Sequence, residues 1–294
     1  MVRKTSKRVA ESPACEPLKA MYEAAVKSAP ASWDQVEDGF LRAMEAFDAN
    51  VAAGIADQGD RQNGKGDFFN DLLALLLENC AGVLLDSRGG VPGYIFPKHN
   101  LDITYPSVGT VEFLLEAKAV GLPKHPRNPK QKNPLGRPGS TDVPKRLKEA
   151  AFKTIDLKAE YGRIQAMSGK PSVGGPGGNL TSWSRENKPK SYLFISARIV
   201  DDRDLRALMA LARAGGQVID GVGVYAFTPV APDQPTKYKR LPVERDIDLA
   251  AVLYRACQDL VKLKSAPPAP TAPPGPAQEA AELIPDEPED EEES

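Results

Sequence analysis

The chain is poor in the residues that build metal cages and covalent frames: its 294 residues include three cysteines, two histidines and two tryptophans. Cys15, Cys80 and Cys257 are widely scattered, and an odd number so placed suits a reducing compartment better than a disulfide framework. With His99 and His125 they form no zinc spacing. No stretch approaches the roughly 20 consecutive apolar residues that span a bilayer. The basic opening MVRKTSKR is not followed by the apolar core of a secretion signal. These absences predict a cytoplasmic protein that makes no contact with membranes.

Aromatic residues are also missing from the end of the chain, where SAPPAPTAPPGPAQEAAELIPDEPEDEEES runs from proline and alanine into acids. Such a composition buries too little apolar surface to offset its ordering entropy, so residues 265–294 are expected to be disordered, a solubilising end or, as the alternative, an autoinhibitory mimic of a phosphate backbone. The tail conceals the charge of the rest. Residues 1–264 carry all 38 Lys and Arg but only 31 of the 40 Asp and Glu, a net charge of +7 with histidine neutral. A basic body permits a polyanionic partner. With 41% hydrophobic residues the chain can bury a sizeable core. The expected division is a basic, largely disordered arm over 1–31, one α/β domain over 32–264, and the tail.

Within that domain, SWDQVEDGFLRAMEAFDANVAAGIA places Val36, Phe40, Leu41, Met44 and Phe47 at helical spacing behind the cap Ser32. The loop DQGDRQNGKGD nearly matches a phosphate-binding loop through Gly59, Gly64 and Lys65, but Gly66 replaces the Ser or Thr that would hold magnesium and no strand precedes it. No nucleotide cofactor is expected. DFFNDLLALLLENCAG lacks strand alternation and predicts a mostly buried helix over about 67–80, ended by Gly82. Three strand-like segments follow: VLLD, the run from Tyr94 to Tyr105, and TVEFLLEAKAV, separated by RGG, VPG and YPSVG turns. A helix over about 145–163, the strand SYLFISARIV, a helix over 204–213, the strand GVGVYAFTPV and a last helix in DIDLAAVLYRACQDLVKL complete the order. The pattern implies helices packed on a central mixed sheet.

Three charges stand out in LDITYPSVGTVEFLLEAKAV. Side chains at i and i+2 of a strand share a face, so Glu116 and Lys118 point together while Ala117 points into the opposite layer. If the short YPSVG connection pairs the two strands, Asp102 comes beside Glu116. Two carboxylates so placed repel each other unless a cation lies between them. A hard divalent ion satisfies them with oxygen ligands and retained waters, and Lys118 beside it can orient or deprotonate a water or stabilise developing negative charge. Those parts suit metal-assisted hydrolysis of a phosphodiester.

Asp102 followed by Glu116-Ala117-Lys118, between two helices, resembles the PD-(D/E)XK nuclease superfamily, which includes most type II restriction endonucleases. The family core is α-β-β-β-α-β, and residues 67–199 can be laid onto that order. The resemblance implies that Asp102 and Glu116 are metal ligands, the Ala117 carbonyl a possible third, and Lys118 the catalytic lysine, with Mg2+ as cofactor and Mn2+ as a substitute. Leu101 stands where proline usually precedes the acid. KGDFFNDLLALLLENCAG is similar to the family's first helix, with Asp71 at the position of its acid and Glu78, two turns on, as the alternative.

Between Lys124 and Lys158 lie ten Lys and Arg and three acids, a segment suited to phosphate contacts through Lys124, Arg127, Lys130, Lys132, Arg137 and Lys145. The polar stretch NLTSWSRENKPK, expected as a loop, offers Asn179, Arg185, Asn187 and Lys188 for base edges. His125 is a candidate for phosphate contact and His99 for a position near the metal, although a lone histidine is more often structural or incidental. The sequence thus suggests a magnesium-dependent endonuclease acting on double-stranded DNA, restriction-type and dimeric if its site is palindromic. The alternatives are a repair, recombination or phage-defence nuclease of the same fold, and a catalytically silent DNA-binding or assembly protein.

Overall fold

A computed structural model describes residues 6–126, 133, 135–168 and 179–266. The chain begins with helices α1 (Lys7–Glu11) and α2 (Glu16–Ser28), then α3 (Glu37–Ala52) and α4 (Lys65–Ala81). Strands β1 (Asp86–Val91), β2 (His99–Tyr105) and β3 (Phe113–Val120) follow. Next come α5 (Val143–Met167), α6 (Leu180–Glu186), β4 (Lys190–Arg198), α7 (Asp202–Gly215), β5 (Gly221–Ala231), β6 (Gln234–Leu241) and α8 (Leu249–Ser265). The six strands form one open sheet in chain order. The β1–β2, β2–β3 and β5–β6 pairs are antiparallel, whereas β3, β4 and β5 run parallel.

Helices cover both faces. On one, α4 packs on β3, α8 on β5 and α3 on β6; on the other, α5 lies over β3 and β4, and α7 over β5. The two layers explain the mixed patterns along the chain. Leu72 to Leu77 are all buried because α4 lies between the sheet and α2 and α8, so it shows no polar stripe. Gly82 ends that helix in the left-handed conformation, φ 62°, which glycine adopts without a Cβ penalty. Ser32 opens its segment through a capping box with Gln35, and the α-helix proper starts one short turn later, at Glu37.

Several expectations need correction. Residues 6–28, expected within a disordered arm, are mostly helical: Ser6 caps α1, and Val9, Leu18, Tyr22 and Ala25 enter the core. Their apolar spacing is helical, and α4 supplies the surface they bury. The first strand starts at Asp86, not Val83, and Tyr94–Phe96 lie in the loop before β2. NLTSWSRENKPK contains α6, entered through Asn179, whose side chain accepts from the Ser182 amide. Strand β6, in QPTKYKRL, is not among the expected strands; it is an edge strand, where Lys237, Lys239 and Arg240 discourage further pairing. Cys80 and Cys257 form a disulfide between α4 and α8, contrary to the expectation of reduced, unpaired thiols, while Cys15 is free and buried. Among the described residues no helix is long and apolar enough to cross a membrane.

Candidate active site

The register of β2 against β3 pairs Ile103 with Leu115, Thr104 with Leu114 and Tyr105 with Phe113. One more step places Asp102 opposite Glu116, on the face where side chains at i and i+2 stand together. Lys118 completes the group: its Nζ donates to Asp102 Oδ2 at 2.8 Å and lies 3.0 Å from Glu116 Oε2. The near oxygens of the two carboxylates are therefore at most about 6 Å apart, the reach of two such contacts through one ammonium. Ala117 points the other way and belongs to the core under α4, as its strand position requires.

The three side chains differ in access. Glu116 is buried behind the others at 4% exposure, whereas the Asp102 side chain is 35% exposed. The other Glu116 oxygen, Oε1, accepts from Lys153 on α5 at 2.7 Å, and the same ammonium donates to the Asn100 carbonyl at 2.8 Å. Burial by itself pushes Lys118 down, but the Glu116 and Asp102 charges and their hydrogen bonds outweigh it and hold the ammonium above the ordinary lysine value. Lys118 is thus a fixed positive charge at neutral pH, suited to stabilising negative charge rather than to taking a proton.

Asp102 and Lys118 face a cleft of about 540 Å³ at the carboxyl end of β3, walled by residues 117–122, by the start of α4 and by Arg137, Asp142 and Arg146. The crevice outside the carboxyl ends of parallel strands is the usual ligand position in open α/β sheets. Asp67 also lines it. Burial and the nearby Asp102 charge raise the Asp67 carboxyl, opposed by the Ser6 hydroxyl and Arg8. Lys65 lines the same wall, donating to the fully buried Asp48 at 2.8 Å; burial outweighs that carboxylate and lowers the lysine. The phosphate-loop resemblance in this segment is therefore not a nucleotide cradle: Gly59 and Gly64 belong to a helical turn that continues into α4.

The remaining expected site residues are dispersed. Asp71 accepts from the Ser6 amide at 2.9 Å and Glu78 from the Leu85 amide at 2.9 Å, so both hold neighbouring backbone and neither lines the cleft. His99 is buried, with Nε2 2.7 Å from Asp156 Oδ2, and His125 is also buried. Of the basic residues, Arg137 lines the cleft and is paired with Asp142, Lys145 is exposed near Glu149, and Lys124 is exposed. Arg127, Lys130 and Lys132 lie outside the described residues, as do residues 267–294 of the tail. Arg185 borders a different cleft, Lys188 pairs with Glu112, and Asn187 is buried, donating to the Trp183 carbonyl at 2.6 Å. Asn187 is thus a structural residue, and Asn179 is a helix cap.

Sequence reasoning missed Lys153, Asp67 and Arg146. Lys153 had a signal, since it follows Ala150 by three and precedes Leu157 by four, both buried, placing a cation on the inward side of α5. Asp67 precedes Asp71 by one turn, and only the docking of α4 decides which of them meets the cleft.

Among the described residues no group of three or more histidine, cysteine, aspartate or glutamate side chains is placed to hold a metal ion. Asp102 and Glu116 converge on the Lys118 ammonium, and Lys153 holds the other Glu116 oxygen, so a divalent ion such as magnesium, which binds through one or two carboxylates and otherwise keeps water and substrate oxygens, would take over part of these lysine contacts. Comparison with family models, curated proteins and solved structures finds no match to this chain.

Proposed function

We propose that the protein is a magnesium-dependent DNA endonuclease of the PD-(D/E)XK type, restriction-like and ATP-independent. The observation that carries the proposal is the convergence of Asp102 and Glu116, from neighbouring antiparallel strands, on the Lys118 ammonium beside an open cleft. The order α4, β1, β2, β3, α5, α6, β4 supports it, because apart from the short α6 inserted before β4 it runs as the α-β-β-β-α-β plan of that superfamily.

Asp102, Glu116 and the Ala117 carbonyl would hold the ion, with Mn2+ able to replace Mg2+. When bound, a divalent ion supplies Lewis-acid polarisation of a phosphoryl oxygen and a more acidic water. Lys118 places a permanent positive charge where the phosphodiester gains negative charge, which a preorganised site does without reorganisation at the moment of reaction. Lys153 positions Glu116 from behind and neutralises its second oxygen. Arg137 and Arg146 on the cleft wall hold backbone phosphates, which fixes register without reading sequence. Asp67 is the acid of α4 that shares the cleft with Asp102, in the place expected of Asp71 or Glu78.

The rival is a charge network with no chemistry in a DNA-binding protein, favoured by the full pairing of Glu116 with two lysines. Incubating supercoiled plasmid with the purified chain, with magnesium and with EDTA, separates the two. Magnesium-dependent nicking or linearisation supports the nuclease, and intact plasmid under both conditions supports the rival. Discrete fragments indicate site recognition by a twofold dimer, whereas smears or loss from ends indicate a repair, recombination or defence nuclease.

A further inference from the structure

The loop before β2 displays three large apolar side chains in succession: Tyr94, Ile95 and Phe96 are 52%, 64% and 50% exposed. Its backbone, by contrast, is tied down. Asp156 on α5 accepts from the Ile95 amide at 2.7 Å and the Phe96 amide at 3.1 Å, while its carbonyl accepts from the Tyr94 amide at 3.3 Å. The Gly93 amide donates to the Phe96 carbonyl at 2.8 Å, closing the turn. A Cβ at residue 93 would lie 2.0 Å from Asp156 Oδ2, so only glycine lets the loop sit so close. Burial works against ionisation of Asp156, but His99 and the two amides prevail and keep its carboxyl below the ordinary value, so the anchor is charged. Phe152 extends the patch from α5, its ring edge-on to Phe96 with centroids 5.0 Å apart.

An apolar tip held this firmly in water calls for a partner. Four side chains are too few for a protein interface, which buries roughly 800 Å² on each side. They are the right size for one or two nucleobases, whose faces stack on aromatic rings regardless of sequence. The surroundings are cationic: Lys98 follows the tip, Lys148 stands one helical turn before Phe152, and Lys153 follows it, reaching Glu116 at the candidate site.

We infer that Tyr94, Ile95 and Phe96 form a stacking platform for unpaired bases, so that the site beside it acts on DNA with a single-stranded or locally opened segment. The choice of nucleic acid rests on the nuclease proposal; the platform itself needs no cleavage to be observed. Phosphates flanking the stacked base lie against Lys98 and Lys148, both exposed, and Ile95 supplies the wedge that keeps the neighbouring base pair from closing.

The test uses the full chain in EDTA, which removes cleavage from the measurement. Trp33 and Trp183 are buried, so an indole introduced by Phe96→Trp is the exposed reporter. Titration with a single-stranded 12-mer is expected to quench its emission, and the matching closed duplex to quench it far less. The double variant Tyr94→Ala/Phe96→Ala should bind the single strand about tenfold or more weakly than the parent, with Phe96→Tyr restoring most of the loss. Unchanged urea midpoints would show that the loss is not unfolding. The inference is overturned if the indole does not respond while the oligonucleotide binds, if the double variant binds as tightly as the parent, or if no oligonucleotide binds at all. It is overturned too if the double variant changes only the sedimentation of the protein, which would make the tip a contact between copies. Binding as expected with no magnesium-dependent cleavage would leave the platform standing and remove the nuclease proposal alone.

Discussion

Two lysine–carboxylate clusters flank the same sheet, and they differ in almost everything except composition. At the amino ends of β4 and β5, Lys158 is fully buried and donates to Asp220 at 2.7 Å and to the Ser184 and Asn187 carbonyls. Asp220 also takes Lys190 at 3.1 Å and the Ser191 amide at 2.9 Å, so acid and base are saturated. On β2 and β3, Lys118 spans two acids, and one of them, Asp102, opens onto a cleft at the carboxyl end of β3. Burial prevails at Lys158 and lowers its ammonium, whereas at Lys118 the two carboxylates prevail and raise it. The first lysine–acid pair is structural, with every lone pair taken, and the second differs in that one of its acids, Asp102, stays open to a cleft.

The contrast can be broken most severely from the structural side. Lys158→Met leaves Asp220 buried with one partner fewer and should destabilise the fold by about 3–5 kcal/mol in urea denaturation, while molecules that remain folded cleave at the parental rate. Glu116→Gln acts on the other cluster. It should lower magnesium-dependent cleavage by about 100-fold or more, with a change in stability of only about 1 kcal/mol, since Lys118 keeps Asp102 and Lys153 keeps the Asn100 carbonyl. Asp67→Asn and Asp71→Asn sharpen the comparison within α4. The first, in the cleft, should reduce cleavage by about tenfold, and the second should cost about 1 kcal/mol of stability with cleavage intact.

The smallest effect is one of pH. Because the Lys118 ammonium is raised in the fold, its contribution to stability is fully present below the unfolded lysine value of about 10.4 and is lost as pH rises through the higher folded value. Parent and Lys118→Met should therefore converge in urea midpoint above that range and differ by a constant amount below pH 9.

What was legible in the sequence is what depends on short range. The i, i+2 spacing of Glu116 and Lys118 fixes a shared face, and the brief connection after Tyr105 fixes the register that brings in Asp102. Helix α4 and its glycine stop follow from composition and cap alone. What was not legible depends on docking. Lys153 reaches Glu116 across 37 positions only because α5 crosses that face of the sheet, and Asp67 rather than Asp71 meets the cleft because of how α4 is rotated about its axis. The Cys80–Cys257 bond closes 177 residues, a separation at which spacing carries no pairing information. The docking of α1 and α2 was hidden by proline at positions 13 and 17, which in the fold open helical turns rather than prevent them.

The central claim is that the charge left open at Asp102 serves chemistry and not architecture. Asp102→Asn keeps the size of the side chain and one acceptor oxygen for Lys118, while it removes the charge and turns the other oxygen into an amide donor. Measured on the same plasmid, with calcium-supported DNA binding as the control, the variant should lose magnesium-dependent cleavage by about 100-fold or more while binding changes by less than about threefold. Cleavage at the parental rate by Asp102→Asn, or cleavage by the parent that persists in EDTA, would contradict the account.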